Sequence, residues 1–213
     1  MHIPDGFVSA PVATVGCVIA AGCVAYAVKA TNKKLGEKQI PLMGVLAAFI
    51  FAAQMLNFPI AGGTSGHLIG AALAAILLGP WAGLLIMTCV LAVQCLVFQD
   101  GGFFALGANV FNMGIVASFI GYYVYRGGAF LLGRHSKRGR LISGGLAAWS
   151  SVVIASVACA FELAMSGTVP LRVALPAMTG VHALIGVGEG AITAAVLSLI
   201  MATRADLLEL QKA

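Results

Sequence analysis

The chain has 213 residues, 61% hydrophobic and only 9% charged, with a formal net charge of +5. Soluble domains carry about 25% charged residues, so the composition excludes a water-soluble protein and indicates an integral membrane one. Nucleic-acid binding is excluded because no basic patch is interleaved with aromatics. A disulfide or thiolate frame is excluded because the five cysteines are odd in number, sit in apolar runs and form no Cys-x-x-Cys pair.

The first element is a short polar opening, Met1-His2-Ile3-Pro4-Asp5-Gly6-Phe7. An α-amine at residue 1, the amide nitrogen of His2 and its Nδ1 can close two fused rings around one cation, a planar all-nitrogen set that suits Ni(II) or Cu(II). A side chain as large as His2 disfavours removal of Met1. Pro4 and Gly6 then turn the chain. Taken alone, His2 is more readily read as a polar residue in a frayed terminus. The first apolar run is expected to stay attached despite the lipoprotein-like Ala20-Ala21-Gly22-Cys23, because a signal peptide starts with positive charge and no Lys or Arg precedes Lys29.

Seven apolar stretches follow, at 10–30, 41–57, 67–79, 81–98, 104–125, 141–166 and 177–203. Most approach the roughly 20 residues needed to cross the hydrocarbon core. In the second, Gly44, Ala48 and Ala52 lie on one face, a strip that lets another helix approach closely, from this chain or from a partner. The third is too short alone and is expected to be completed by an irregular loop, Ala61-Gly62-Gly63-Thr64-Ser65-Gly66, packed inside protein. Gly79-Pro80 turns the chain into the fourth. With seven spans, eleven of the twelve Lys and Arg, from Lys29 to Lys212, fall on one side and only Arg172 on the other. The positive-inside rule then puts the N-terminus outside and the C-terminus in the cytoplasm. The expected organisation is all-α, one polytopic membrane bundle over 1–213: an N-terminal metal-binding segment 1–9, a transmembrane bundle 10–203 and a cytoplasmic tail 204–213.

A planar three-nitrogen set needs a fourth donor on the same side. His135 lies in a basic cytoplasmic loop, on the wrong side. His67 follows the outer glycine-rich loop, and His182 lies in the seventh span near the same side; His67 is the better ligand, since its glycines permit an irregular close approach. Gln54, Asn57, Gln94, Gln99, Asp100, Asn109, Asn112, Glu162 and His182 all fall in the outer parts of their spans. Polar groups in a membrane cost about 2.5–3.5 kcal/mol each for an Asp, so they are read as lining one cavity around the metal, with Asp100, Asn109, Asn112, Glu162 and His182 as supporting residues. Hydrogen bonding that merely holds the bundle is the competing reading. Glu189, seven residues after His182, is expected to be protonated or paired with a neighbouring helix; no function is assigned to it. Four such nitrogens predict square-planar Ni(II), weaker Co(II), and affinity that falls steeply below about pH 6.

The opening seven residues, Gly62-Gly63-Thr64-Ser65-Gly66-His67-Leu68, Gln99-Asp100-Gly101-Gly102, Leu106-Gly107-Ala108-Asn109 with Phe111-Asn112-Met113-Gly114, and Gly180-Val181-His182-Ala183-Leu184-Ile185-Gly186 together resemble the CbiM/NikM family. These are the substrate-binding (S) components of energy-coupling-factor transporters for nickel and cobalt. The resemblance runs from Met1 to about Ile200. It implies seven helices in the cell membrane and a metal held by the Met1 amine, the His2 amide nitrogen and imidazole, and His67. It also implies partners: a transmembrane coupling component, a pair of cytoplasmic ATPases and often a small extra membrane subunit. The chain itself has no Gly-x-x-x-x-Gly-Lys-Ser/Thr loop for ATP. The function expected is capture of Ni(II), alternatively Co(II), as transported substrate. A membrane-embedded metalloenzyme is the remote alternative, disfavoured because there is no His-Glu-x-x-His and no open coordination position. A plain structural membrane scaffold is the other rival.

Overall fold

The structure, a computed structural model, describes residues 1–32, 36, 39–60, 64–133 and 136–209. His135, the Ala61-Gly62-Gly63 part of the expected loop, and Lys33, Lys34, Lys38, Arg134 and Lys212 among the charges used for orientation lie outside the described residues. The elements run α1 (Ala10–Asn32), α2 (Gln39–Gln54), a ribbon of β1 (Phe58–Ile60) and β2 (Thr64–Gly66), α3 (Ala71–Leu78), α4 (Pro80–Phe98) and α5 (Leu106–Asn109). A π-helical turn, Val110–Val116, leads directly into α6 (Ala117–Leu132). Then come α7 (Lys137–Met165), α8 (Leu171–Thr203) and a 3-10 turn, Ala205–Glu209.

Each of the seven apolar stretches contains a helix. Among the described residues, five helical segments, counting Leu106–Leu132 as one, are long and apolar enough to cross a membrane; α2 is a shorter apolar helix. The third stretch departs most from its expected form. Its helix is only 8 residues long, and every residue from Ala71 to Leu77 is buried. Such a helix need not match the bilayer, because its surroundings are α4, α6, α7 and α2 rather than lipid. Close approach makes this possible: a Cβ at Gly121 of α6 would lie 2.7 Å from Ala72 Cβ. In the same way α7 and α8 meet backbone to backbone, where a Cβ at Gly190 would lie 2.9 Å from the Gly145 carbonyl.

The segment before α3 is more regular than expected. Phe58 to Ile60 pairs antiparallel with Thr64 to Gly66, Pro59 opposite Ser65. Pro59 explains why: it ends any continuation of α2, biases Phe58 to an extended conformation, and is tolerated in a two-stranded ribbon. The ribbon delivers His67 to the start of the buried helix.

Candidate metal centre

The opening segment lies as a strap across the end of the bundle rather than fraying. Asp5 accepts the backbone N–H groups of Phe103 (2.9 Å), Phe104 (2.8 Å) and Ala105 (3.3 Å), the free donors ahead of α5. Ile3 is held at both backbone groups. Its N–H donates to Asn109 Oδ1 at 2.8 Å, and its carbonyl accepts from Asn109 Nδ2 at 3.1 Å and from the Gly102 N–H at 2.9 Å. Gly102 has to be glycine, since a Cβ there would sit 2.2 Å from Asp5 Oδ1. Thr168, after α7, closes the strap with a 2.6 Å bond to the Phe7 carbonyl. Each such bond is worth about 0.5–1.5 kcal/mol net, enough together to order a terminus. Met1 is 0% exposed, His2 3% and His67 1%.

The strap brings the Met1 nitrogen to 2.7 Å from His67 Nε2. It also donates to the Ser65 carbonyl, and lies 3.3 Å from Ser65 Oγ, which accepts the His2 N–H at 3.2 Å. The two imidazoles stack with centroids 4.5 Å apart and planes 22° apart, and they are locked in opposite tautomers. His67 Nδ1–H donates to the Leu68 carbonyl at 2.6 Å, leaving the lone pair on Nε2, toward the amine. His2 Nε2–H donates to Gln94 Oε1 at 3.0 Å, leaving Nδ1 bare. That Nδ1 is buried, makes no hydrogen bond, and faces Asp100 Oδ1 at 3.3 Å, so a lone pair confronts a carboxylate oxygen. A cation at Nδ1 relieves that confrontation. Asp100 is tied on its other oxygen to Asn57 Nδ2 at 3.1 Å.

Burial keeps these nitrogens unprotonated. The Met1 amine is pushed down to about 5, chiefly by desolvation, against smaller opposing pulls from Cys159 and Asp100. His2 is pushed down to about 3, by desolvation first and the neighbouring amine second, against a smaller upward pull from its bond to Gln94. Burial raises Asp100, and the amine and Asn57 pull it partly back. A metal held by these nitrogens would need them deprotonated, and burial accomplishes most of that in advance.

The structure thus brings Met1, His2, His67 and Asp100 together, with Asn109 holding the strap by its backbone. His182 is fully buried; its Nδ1–H donates to the Met178 carbonyl of its own helix at 2.8 Å and its Nε2 has no partner. Asn112 and Glu162 instead meet each other, Nδ2 to Oε2 at 2.5 Å, and Glu162 lines an apolar crevice between α1 and α7 with Pro11, Val15, Phe111 and Phe161. Glu189 pairs with backbone rather than with a helix side chain, accepting the N–H groups of Ile69 and Gly70. Ser65 and Asp5 were not among the residues expected to line the site, although each contacts the amine or the strap; Gln94, which bonds the His2 imidazole, was expected only as one of the polar residues lining the cavity. The available signal was proximity in sequence: Ser65 is two residues before His67, and Asp5 three after His2.

Among the described residues no three His, Cys, Asp or Glu side chains form a metal-holding group. A metal bound between these residues would have to draw on the Met1 amine or the His2 amide nitrogen besides the imidazoles. Metal–nitrogen bonds of about 2 Å put adjacent corners of a square about 2.8 Å apart. The observed 2.7 Å between the Met1 nitrogen and His67 Nε2 matches that spacing.

The family described as "CbiM: Cobalt uptake substrate-specific transmembrane region" matches residues 2–207. The chain belongs to the CbiM family. It is 46% identical, over its whole length and 69% of the other, to an Archaeoglobus fulgidus protein provisionally named fused nickel transport protein NikMN. The "Cobalt transport protein CbiM" of Sorangium cellulosum is 31% identical over 98% of this chain and 95% of its own. A crystal structure described as a truncated transition metal transporter superposes with a TM-score of 0.87 at 36% identity, covering 95% of this chain and 99% of its own. As a CbiM protein with several long apolar helices, the chain is a multi-pass protein of the cell membrane.

Proposed function

We propose that this CbiM chain is the substrate-capture subunit of an ATP-driven energy-coupling-factor importer. It binds Ni(II) from outside through the Met1 amine, the His2 amide nitrogen, His2 Nδ1 and His67 Nε2. The observation that carries the reading is the opposite tautomers of the two stacked imidazoles, which leave bare lone pairs on the two nitrogens a planar chelate needs. Amide nitrogen as a ligand favours Ni(II) and Cu(II) over Co(II) and Zn(II). Seven crossings, an exterior N-terminus and a cytoplasmic C-terminus belong to the same reading, supported by the one-sided distribution of Lys and Arg.

The subunit has no ATPase and works with a transmembrane coupling component, cytoplasmic ATPases and, in some systems, a small additional membrane subunit. The extra length of the fused Archaeoglobus relative agrees with such a companion. Gly44, Ala48 and Ala52 are all exposed along α2, and a Cβ at Gly44 would meet nothing within 4 Å, so this strip suits a partner helix better than packing within the chain. Cobalt uptake is the second reading, favoured by the family description and by the name of the Sorangium relative. Metal analysis with an absorption spectrum, on protein with a native N-terminus, separates them. The expected result is one yellow, diamagnetic, square-planar Ni(II) per chain with Co(II) weaker. Octahedral, paramagnetic Ni(II) with oxygen ligands would overturn the four-nitrogen site.

A further inference from the structure

The stretch that carries His67 is gripped by two different helices. On α8, Glu189 is 3% exposed, and its two carboxylate oxygens accept the N–H groups of Ile69 (2.6 Å) and Gly70 (2.8 Å). On α2, Gln54 Nε2 donates to the Ile69 carbonyl at 2.7 Å. Gly70 adds a steric lock: its φ of +79° suits glycine, and a Cβ there would lie 2.7 Å from Ile50 Cγ1 of α2. The peptide groups around Ile69 are therefore fixed at donor and acceptor ends, two residues beyond His67. The ring is fixed to the same stretch by its bond to the Leu68 carbonyl. Non-helical backbone inside a membrane protein needs acceptors for its N–H groups, and a bidentate carboxylate orients two of them at once.

Resting on the four-nitrogen reading, we propose that Glu189 is a positioning residue for the His67 donor, holding the 68–70 backbone so that Nε2 faces the Met1 nitrogen. Glu189 touches no metal. It acts by keeping the fourth corner of the square at its 2.7 Å spacing, and the metal's residence time depends on α8 as well as on the ligands. Glu189→Gln keeps the shape but turns one acceptor into an opposed NH2 group.

The test is a double-mutant cycle on full-length protein with a native N-terminus, following Ni(II) release into excess chelator and the visible band of the complex. Glu189→Gln is expected to release Ni(II) about 10–100-fold faster and to shift the band toward that of His67→Ala. In a His67→Ala background, Glu189→Gln should add nothing, since it acts through the lost ring. Glu189→Asp, shorter by one methylene, should show the same non-additivity and serves if Glu189→Gln does not accumulate. Wild-type release from Glu189→Gln, or an effect that adds to that of His67→Ala, would overturn the positioning role while leaving the site intact. Wild-type affinity in His67→Ala would overturn the four-nitrogen reading itself, and this role with it.

Discussion

Two buried polar clusters in this bundle look alike in the sequence and differ in what they leave unused. Asn112 and Glu162 bond to each other across the π turn and α7, and the group left over is an amide oxygen beside an apolar crevice. Around Met1, each imbalance is a nitrogen: His2 Nδ1 is bare, His67 Nε2 faces an amine, and neither ring can rotate its tautomer without losing its bond to Gln94 or Leu68. Burial of polar groups is common to both. The placement of lone pairs separates a place with nitrogens free to face a cation from a pair that joins helices.

The largest break should come from moving the amine. One residue added before Met1, or His2→Ala, removes the chelate register, and Ni(II) affinity measured by equilibrium dialysis should fall more than about 100-fold, beyond the effect of any supporting residue. Acid comes next. Above about pH 5 the Met1 amine and His2 are already neutral, so binding displaces only the His2 amide proton, and affinity should fall about tenfold per pH unit, about 100-fold from pH 7 to 5. Below about pH 5 the amine takes up a proton that Ni(II) must also displace, and the slope should double. The steepening thus comes at about 5, lower than the ordinary values of these groups imply. A profile that steepens already near pH 8 would mean the amine is exposed before metal binds.

Smaller effects sharpen the contrast. Gln94→Leu frees His2 to protonate Nδ1, and should weaken Ni(II) about 10-fold while leaving the square-planar spectrum in place. Glu162→Gln should change Ni(II) affinity less than about twofold, because its partner is Asn112 and not the imidazoles. A large loss in Glu162→Gln would erase the distinction between the two clusters.

That Met1, His2 and His67 meet was legible in the pairing of an N-terminal amine with an adjacent histidine and in the glycine-rich approach to His67. That the third stretch is too short to cross alone was legible from length, but its burial among the neighbouring helices was not. Grouping Asn112 and Glu162 with the site was not reliable, since depth along a helix can be read from order but direction around it cannot, and the π turn alters that direction locally. Asn109 lay where expected yet acts on the Ile3 backbone, a role no side-chain pattern announces. Gln94 was legible only as one polar residue of the outer cluster and Ser65 only as a neighbour of His67; their contacts exist only once the strap has folded back over α4 and the ribbon.

That strap also sets a timetable for traffic. With Asp5 bonded to the backbone at 103–105, Thr168 on the Phe7 carbonyl and Met1 wholly buried, donor and doorway are the same stretch of chain. On the four-nitrogen reading, a cation would reach the amine only while the latch is undone and would leave only by the same undoing. Loading and unloading would then share one opening of the strap as their common step.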